Sequence, residues 1–381
     1  MCPTPQDLHI QPAIMSVNEW LSCFICGSGG LGVYGRVATD AIKGLMQILF
    51  IGGTGNISAE CAAAAHKRGH QVLVLTRGRH ELPSEYRAIQ ADRRDRAAMR
   101  SALSGIKPDV VANFLGYELE DVRLDVEIFQ GSLRQYVFIS STTVYARPAR
   151  RLPYREDSDL GNVWWEYAQK KLACEQWLGE RYSADGFPVT IVRPSHTYSK
   201  LWVPNPVSSS SYSFAARLER SQPIFVPDDG KNPWTLTAAA DFAVGLVGLI
   251  GNDQAVGEAF HITSDEVLTW NQIYAEIASA LGVITPSIVP VPTEFICQVA
   301  PQMTGTLKGD KAQPGIFDNA KIKRFVPEFR CVKSFREGVR QSVAWLREHP
   351  SQQNLNPQVD RLIDDVLAAW RVAFTVHPIH R

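Results

Sequence analysis

The stretch "MQILFIGGTGNISAECAAAAHKRGHQVLVLTRG", residues 46–78, constrains the fold more than any other part of the chain. Residues 48–51 form a short continuous apolar run that predicts a strand. Residues 59–68 are alanine-rich and helical, and Gly69 is placed to end that helix. Residues 72–75 form a second apolar strand. Strand, glycine turn, helix and strand make one βαβ unit of about 30 residues. Its two strands must run parallel, because a crossover helix joins them.

The turn inside this unit, "GGTGNIS" (52–58), follows a strand and opens a helix, the context a phosphate-binding loop requires. Gly52 and Gly53 permit a tight turn, Gly55 lets the backbone approach a pyrophosphate, and Thr54, Asn56 and Ile57 complete the loop at the helix N-terminus. A second cluster, "GSGGLG" (27–32), matches a dinucleotide fingerprint letter for letter but lacks the strand–loop–helix context. It reads as a flexible leader or as sequence upstream of a start at Met46. At the end of the second strand, NAD would need an acidic residue for its ribose hydroxyl. Here stand Thr76 and Arg77, with Arg79 nearby, so NADP is preferred over NAD. Asp92 and Arg93 close the third strand beside the adenine edge.

The alternation continues. Strand-like runs occupy 88–90, 110–113, 136–140 and 189–192, with helices near 95–104, 118–130 and 164–183. Continuous apolar strands separated by helices mean a parallel sheet covered on both faces. The expected fold is α/β: a doubly wound parallel Rossmann sheet with a smaller C-terminal α/β substrate domain. Residues 46–195, completed by 236–264, make the cofactor domain, and 196–235 with 265–350 the substrate lobe. Residues 1–45 read as a poorly ordered N-terminal extension, and 351–381 as a C-terminal helix and tail. Residues 200–214, rich in Pro and Ser, read as a mobile loop, 240–251 as a helix, 258–264 as a strand, and 269–281, 334–347 and 356–373 as amphipathic helices.

Composition excludes other classes. Lys+Arg and Asp+Glu are both 39, so the chain carries no general attraction to nucleic acid or an anionic membrane. No apolar run approaches the ~20 residues of a membrane span, and no basic stretch precedes the weakly apolar N-terminal segment as in a secretory signal. The seven cysteines are scattered; Cys23 and Cys26 lack a second ligand pair for zinc, and no metal is expected. Free thiols point to a reducing compartment, hence the cytoplasm.

The chemistry is expected on "WWEYAQKKLACEQWL" (164–178), which is helical and free of Gly and Pro. Tyr167, Lys171, Cys174 and Leu178 share one inward stripe at helical spacing. A secondary alcohol cannot release hydride unless its proton also leaves, and a phenol with a pKa of ~10 is a poor base at neutrality. A lysine one turn away favours the phenolate, as does an oxidised nicotinamide, so Lys171 is expected to reach both Tyr167 and the cofactor ribose. "FISSTTVY" (138–145) lies at the carboxyl end of a strand, where open parallel sheets bind ligands, and Ser141 there is placed to hold the substrate oxygen.

Together "GGTGNIS", "FISSTTVY", "YAQKK" and "IVRPSHTYS" (191–199) resemble the extended short-chain dehydrogenase/reductases, the NAD-dependent epimerase/dehydratase family, from Met46 to about Trp345. The resemblance implies a catalytic Ser141, Tyr167 and Lys171, a nicotinamide side lined by Phe114, Leu115, Gly116 and Pro194, and a homodimer. Three departures stand out. Ser58 replaces a common glycine, which implies looser helix–sheet packing. Thr142 and Thr143 replace the Asp and Glu of sugar-nucleotide 4,6-dehydratases, so they are substrate contacts rather than dehydration catalysts. "RPSHTYS" lacks the ending common in nucleotide-sugar enzymes. His196, Tyr198, Trp234 and residues 309–324 are expected to wall the pocket, with Lys311, Lys321 or Arg324 meeting a phosphate or carboxylate. The resulting function is oxidation, reduction or epimerisation at a secondary alcohol or ketone carbon of a sugar, nucleotide sugar or similar polar small molecule. The alternatives are a natural-product ketoreductase and a non-catalytic cofactor- or RNA-binding relative; neither nucleic acid nor membrane is an expected partner.

Overall fold

The computed structural model describes residues 44–376. The leader cluster at 27–32, Cys23 and Cys26 therefore lie outside the described residues. After Gly44 the chain forms one compact unit.

The first half builds the sheet. The elements are β1 (Gln47–Ile51), α1 (Ser58–Lys67), β2 (Gln71–Thr76), β3 (Arg87–Gln90), α2 (Arg96–Leu103), β4 (Val110–Asn113), α3 (Leu119–Phe129), β5 (Gln135–Ile139), α4 (Glu166–Asp185) and β6 (Val189–Pro194). With β11 (Ala259–Ile262) they make a seven-stranded sheet of order 3-2-1-4-5-6-11, every pairing parallel. The strands read as unbroken apolar runs because both faces are covered. One face packs against α1, α6 (Ala239–Leu249) and α9 (Ala320–Phe325), the other against α2, α3 and α4. This is the expected doubly wound sheet.

The smaller part is built from short strands: β7 (His196–Tyr198) beside β10 (Leu236–Ala238), β8 (Ile224–Pro227) beside β13 (Ile288–Val291), and β9 (Pro233–Trp234) beside β12 (Leu268–Thr269). Helices α5 (Ser213–Glu219), α7 (Trp270–Leu281) and α10 (Phe335–Glu348) close a second core around Trp270, Tyr274 and Phe214. Helices α8 (Thr293–Val299) and α11 (Pro357–Val376) share a third core, to which α11 contributes Ile363 and Val366.

One expectation is overturned here. Residues 200–214 are tied down rather than loose. The fully buried Asn205 donates to Val203 O and Ser208 O and accepts from the amides of Val207 and Ser208 at 2.9 and 2.7 Å. The serines act as local backbone partners and helix starters, not as a flexible tract.

Helix α4 is anchored by a buried ion pair. Arg193 on β6 binds Glu175 at 2.6 Å, both side chains 4% exposed, and also donates to the Tyr145 hydroxyl at 3.1 Å. Tyr145 contacts His261 Nδ1, and His261 Nε2 meets Asp318 O. Removing one partner would leave an uncompensated buried charge. We expect Glu175→Ala to lose about 3–5 kcal/mol of stability, measured by urea unfolding; a loss below about 1 kcal/mol would refute the anchoring role.

Candidate functional site

The glycine loop closes under steric constraint. Gly52 has φ +89°, and a Cβ there would sit 2.5 Å from Leu115 Cγ, so Leu115 can cover the loop only because residue 52 has no side chain. Helix α1 begins beyond it with no side-chain cap at Ile57. Its first amides are thus not claimed by a capping side chain, as an anion site at a helix N-terminus requires. Ser58 is 2% exposed and its hydroxyl accepts the Gly55 N–H at 2.9 Å. The expected loosening is absent, because the hydroxyl fits inside the turn and satisfies a loop donor.

Two side chains expected at the cofactor are engaged elsewhere. Asn56 donates to Thr197 O at 2.9 Å and accepts from Ser199 N and Oγ at 2.9 and 2.8 Å, so its side chain ties the loop to β7. Arg93 is buried and forks onto Asp125 at 2.9 and 3.0 Å, where Asn113 and Tyr136 also bind. A buried carboxylate demands a paired cation, and Arg93 meets that demand. Arg77 and Asp92 lie exposed beyond the ends of β2 and β3, and Asp92 caps the Arg94 amide at 2.9 Å. Phe114 and Leu115 are partly buried, and Gly116 and Pro194 buried, around the carboxyl ends of β4 and β6.

Beside these strand ends opens a cleft of about 430 Å³. Ser141, Thr142, Thr143 and Tyr167 line it together with His196 and Lys311. Ser141 ends its strand in extended backbone and caps the 3₁₀ turn Thr142–Val144, accepting from Thr143 N and Oγ1 at 3.2 and 3.0 Å. Its hydrogen bond partly offsets a strong upward push on the Tyr167 pKa that comes first from desolvation and then from Tyr117.

Lys171 is 2% exposed. Its Nζ donates to Gly116 O at 2.7 Å and Ile139 O at 2.8 Å and lies 5.9 Å from the Tyr167 ring centroid. Burial lowers its pKa to about 8. At Tyr167 desolvation is the largest influence on the phenol, while the Lys171 amine is held by two backbone carbonyls.

His196 is a locked neutral imidazole. Its Nδ1 accepts from Trp234 Nε1 at 3.4 Å, so Nε2 carries the proton and donates to Ser209 Oγ at 2.8 Å. Burial, aided by Lys311, lowers its pKa well below the ordinary value. Trp234 therefore supports the cleft from behind. Tyr198 does not reach it: the ring packs on Phe335 and borders a separate cavity with Glu60 and Lys333. Lys321 binds Glu258 and Ala259 O, and Arg324 packs on Phe325; neither lines the cleft.

Sequence reasoning missed the Trp165 and Trp202 rings, Asn205, Ser195 and Thr306 in the lining, and Asn162 behind it. Asn162 donates to Thr143 O at 2.8 Å and Gly309 O at 2.7 Å, joining the strand end to the distant 307–311 turn. A Cβ on Gly309 would lie 3.0 Å from Asn162 Oδ1, so glycine leaves room for that join. The adjacency of Trp165 to Tyr167 was the one local signal. Among the described residues no cluster of His, Cys, Asp or Glu suits a metal, and no helix is long and apolar enough to cross a membrane.

The lowered Lys171 pKa fixes a sign. Between about 8 and its unfolded value near 10.5 the unfolded chain binds more protons, so this residue's contribution becomes more favourable as pH rises through that window. We expect the stability of wild type relative to Lys171→Met to increase from pH 8 to pH 10, read by urea unfolding; a flat or falling difference would contradict the burial of a charged amine.

Residues 48–263 match the model of the NAD dependent epimerase/dehydratase family. The 2'-dehydrokanamycin reductase of Streptomyces kanamyceticus is 26% identical over 291 residues, 75% of this chain and 80% of that one. The chloroplast stem-loop binding protein of 41 kDa b from Arabidopsis thaliana is 31% identical over 265 residues, 65% of this chain and 67% of that one. In structure, the UDP-glucuronic acid 4-epimerase of Bacillus cereus, solved with UDP-glucuronic acid and NAD, superposes with TM-score 0.65 at 17% identity, covering 80% of this chain and all (100%) of that one. The match spans the glycine loop, the Ser141 strand end and the Tyr167 helix, and the chain belongs to the NAD dependent epimerase/dehydratase family.

Proposed function

We propose that the protein is an NAD(P)-dependent oxidoreductase or epimerase acting at a secondary alcohol or ketone carbon of a sugar or similar polar metabolite. One observation carries this reading: Ser141 and Tyr167 line a single cleft at the carboxyl ends of a parallel sheet, with the Lys171 ammonium buried beneath them. The cofactor fits the residues present. The backbone of Gly52, Gly53, Thr54, Gly55 and Ile57 at the uncapped start of α1 would hold its pyrophosphate, and Phe114, Leu115, Gly116 and Pro194 its nicotinamide side. When bound, it supplies the hydride chemistry.

The residues of the chain do the rest. Ser141 holds the substrate oxygen. Tyr167, its pKa raised by burial, keeps its proton at neutral pH and can exchange it with the oxygen of the reacting carbon as that carbon gains or loses hydride. Lys171 fixes the height of α4 over the strand ends and places a positive charge under the phenol ring. In the densest basic stretch, 93–100, acidic partners offset most of the charge that the RNA reading needs, with Arg94 exposed. There Arg93 pairs with Asp125, Arg96 with Glu120 and Glu127, and Arg100 with Glu127.

Tyr167→Phe is expected to lower turnover by on the order of 10²–10⁴ while cofactor binding persists; unchanged turnover would overturn the assignment. For cofactor choice, the exposed Arg77 past β2 supports a 2'-phosphate and hence NADP. Arg77→Ala should weaken NADP binding severalfold and leave NAD binding alone, by calorimetric titration. Equal loss for both, or tighter NAD binding by wild type, would reverse the preference.

A further inference from the structure

The lining of the cleft carries an uneven set of charges. Asp310 and Lys311 come from one π-helical turn, Leu307–Lys311, closed by the Ala312 amide on Leu307 O at 2.9 Å. Consecutive side chains on an α-helix diverge by about 100°, yet both of these line the cleft. π-Turns of this kind recur at functional sites. The turn is held from outside: Trp270 Nε1 donates to Lys311 O at 2.8 Å, and Asn162 to Gly309 O at 2.7 Å.

Lys311 Nζ donates to Asp310 Oδ2 at 2.7 Å. The other carboxylate oxygen, Oδ1, lies 3.7 Å from Arg147 Nη2, beyond hydrogen-bond length. The Arg147 side chain is wholly buried (0% exposed). It donates from Nη1 to Pro314 O at 2.9 Å and stacks on Tyr154 at 4.5 Å, but its Nε and Nη2 have no hydrogen-bond partner. A buried guanidinium with two unmatched donors is an unfavourable arrangement that one carboxylate rotation could relieve. Two cations thus share one anion, and the neutral His196 adds no charge.

We propose that the substrate bears one anionic group, a carboxylate or a phosphate, that Lys311 binds it, and that Asp310 then turns from Lys311 to Arg147. The inference rests on the cleft being the substrate site of the proposed enzyme. The exchange leaves no charge unpaired: the incoming anion takes Lys311, and Asp310 closes the gap to the unmatched Nη2. An amine-bearing substrate would instead meet the surplus positive charge. Lys311 is then a specificity-determining residue, and Arg147 a positioning residue that acts through Asp310.

The test titrates the full chain with D-glucuronate, glucose 6-phosphate and D-glucose, following the fluorescence of the tryptophans around the cleft. At least one anion should bind tenfold or more tightly than glucose, and the tighter of the two identifies the source of the charge. Lys311→Met should remove the preference. Asp310→Asn should strengthen anion binding severalfold, since nothing then competes for Lys311, whereas a merely structural Asp310 would give weaker binding. Arg147→Met should weaken anion binding and spare glucose, with Arg147→Lys restoring part. Equal affinities for all three sugars in wild type overturn the proposal, as does a preference that survives in Lys311→Met. If Lys311→Met fails to fold, unchanged or weaker anion binding by Asp310→Asn overturns it. The enzymatic reading fails separately, on unchanged turnover by Tyr167→Phe.

Discussion

A single buried nitrogen organises the site. Lys171 Nζ bonds the carbonyl oxygens of Gly116, after β4, and Ile139, at the end of β5. Two strand ends and helix α4 therefore meet at one charged atom, with water excluded. Neutral hydrogen bonds would hold this junction less firmly, because a charged donor is roughly twice as strong. Tyr167 stands one turn earlier on the same helix, so its height over the sheet follows from where its neighbour is pinned.

The remaining buried charges extend that control. Arg193 and Glu175 fix α4 one turn further along. Asp125 gathers Arg93, Asn113 and Tyr136 beneath the loop that follows β4, and Asn113 Oδ1 accepts the Leu115 amide at 2.7 Å. Such networks do not add much net stability over well-packed apolar residues. What they supply is position, which a site working at ångström tolerance needs. The cleft residues then sit on short, well-bonded backbone rather than on free loops.

Much of the architecture was legible because the relevant signals are local. Apolar runs of four to six residues, alanine-rich helices and the glycine turn each carry their meaning within a few positions, and β1 to β6 fall within a residue or two of expectation. The stripe of Tyr167, Lys171, Cys174 and Leu178 was equally readable from spacing. What was not legible depends on pairings across the chain. Nothing near Asn56 announces that Thr197 and Ser199 will claim its amide. Nothing near Arg93 names Asp125, and Tyr198 looks like a cleft residue until Phe335 arrives to pack on it. The two- to four-residue strands of the smaller part are too short for periodicity to register, and Asn205 turns an apparent linker into a fixed wall through bonds no composition rule anticipates.

Asn56 has a mechanical consequence. Its amide clasps the glycine turn to the backbone of Thr197 and to Ser199 with three hydrogen bonds. The glycine turn and residues 197–199 are therefore held together at one point. For the turn to move alone, all three of these bonds must break; otherwise 197–199 move with it.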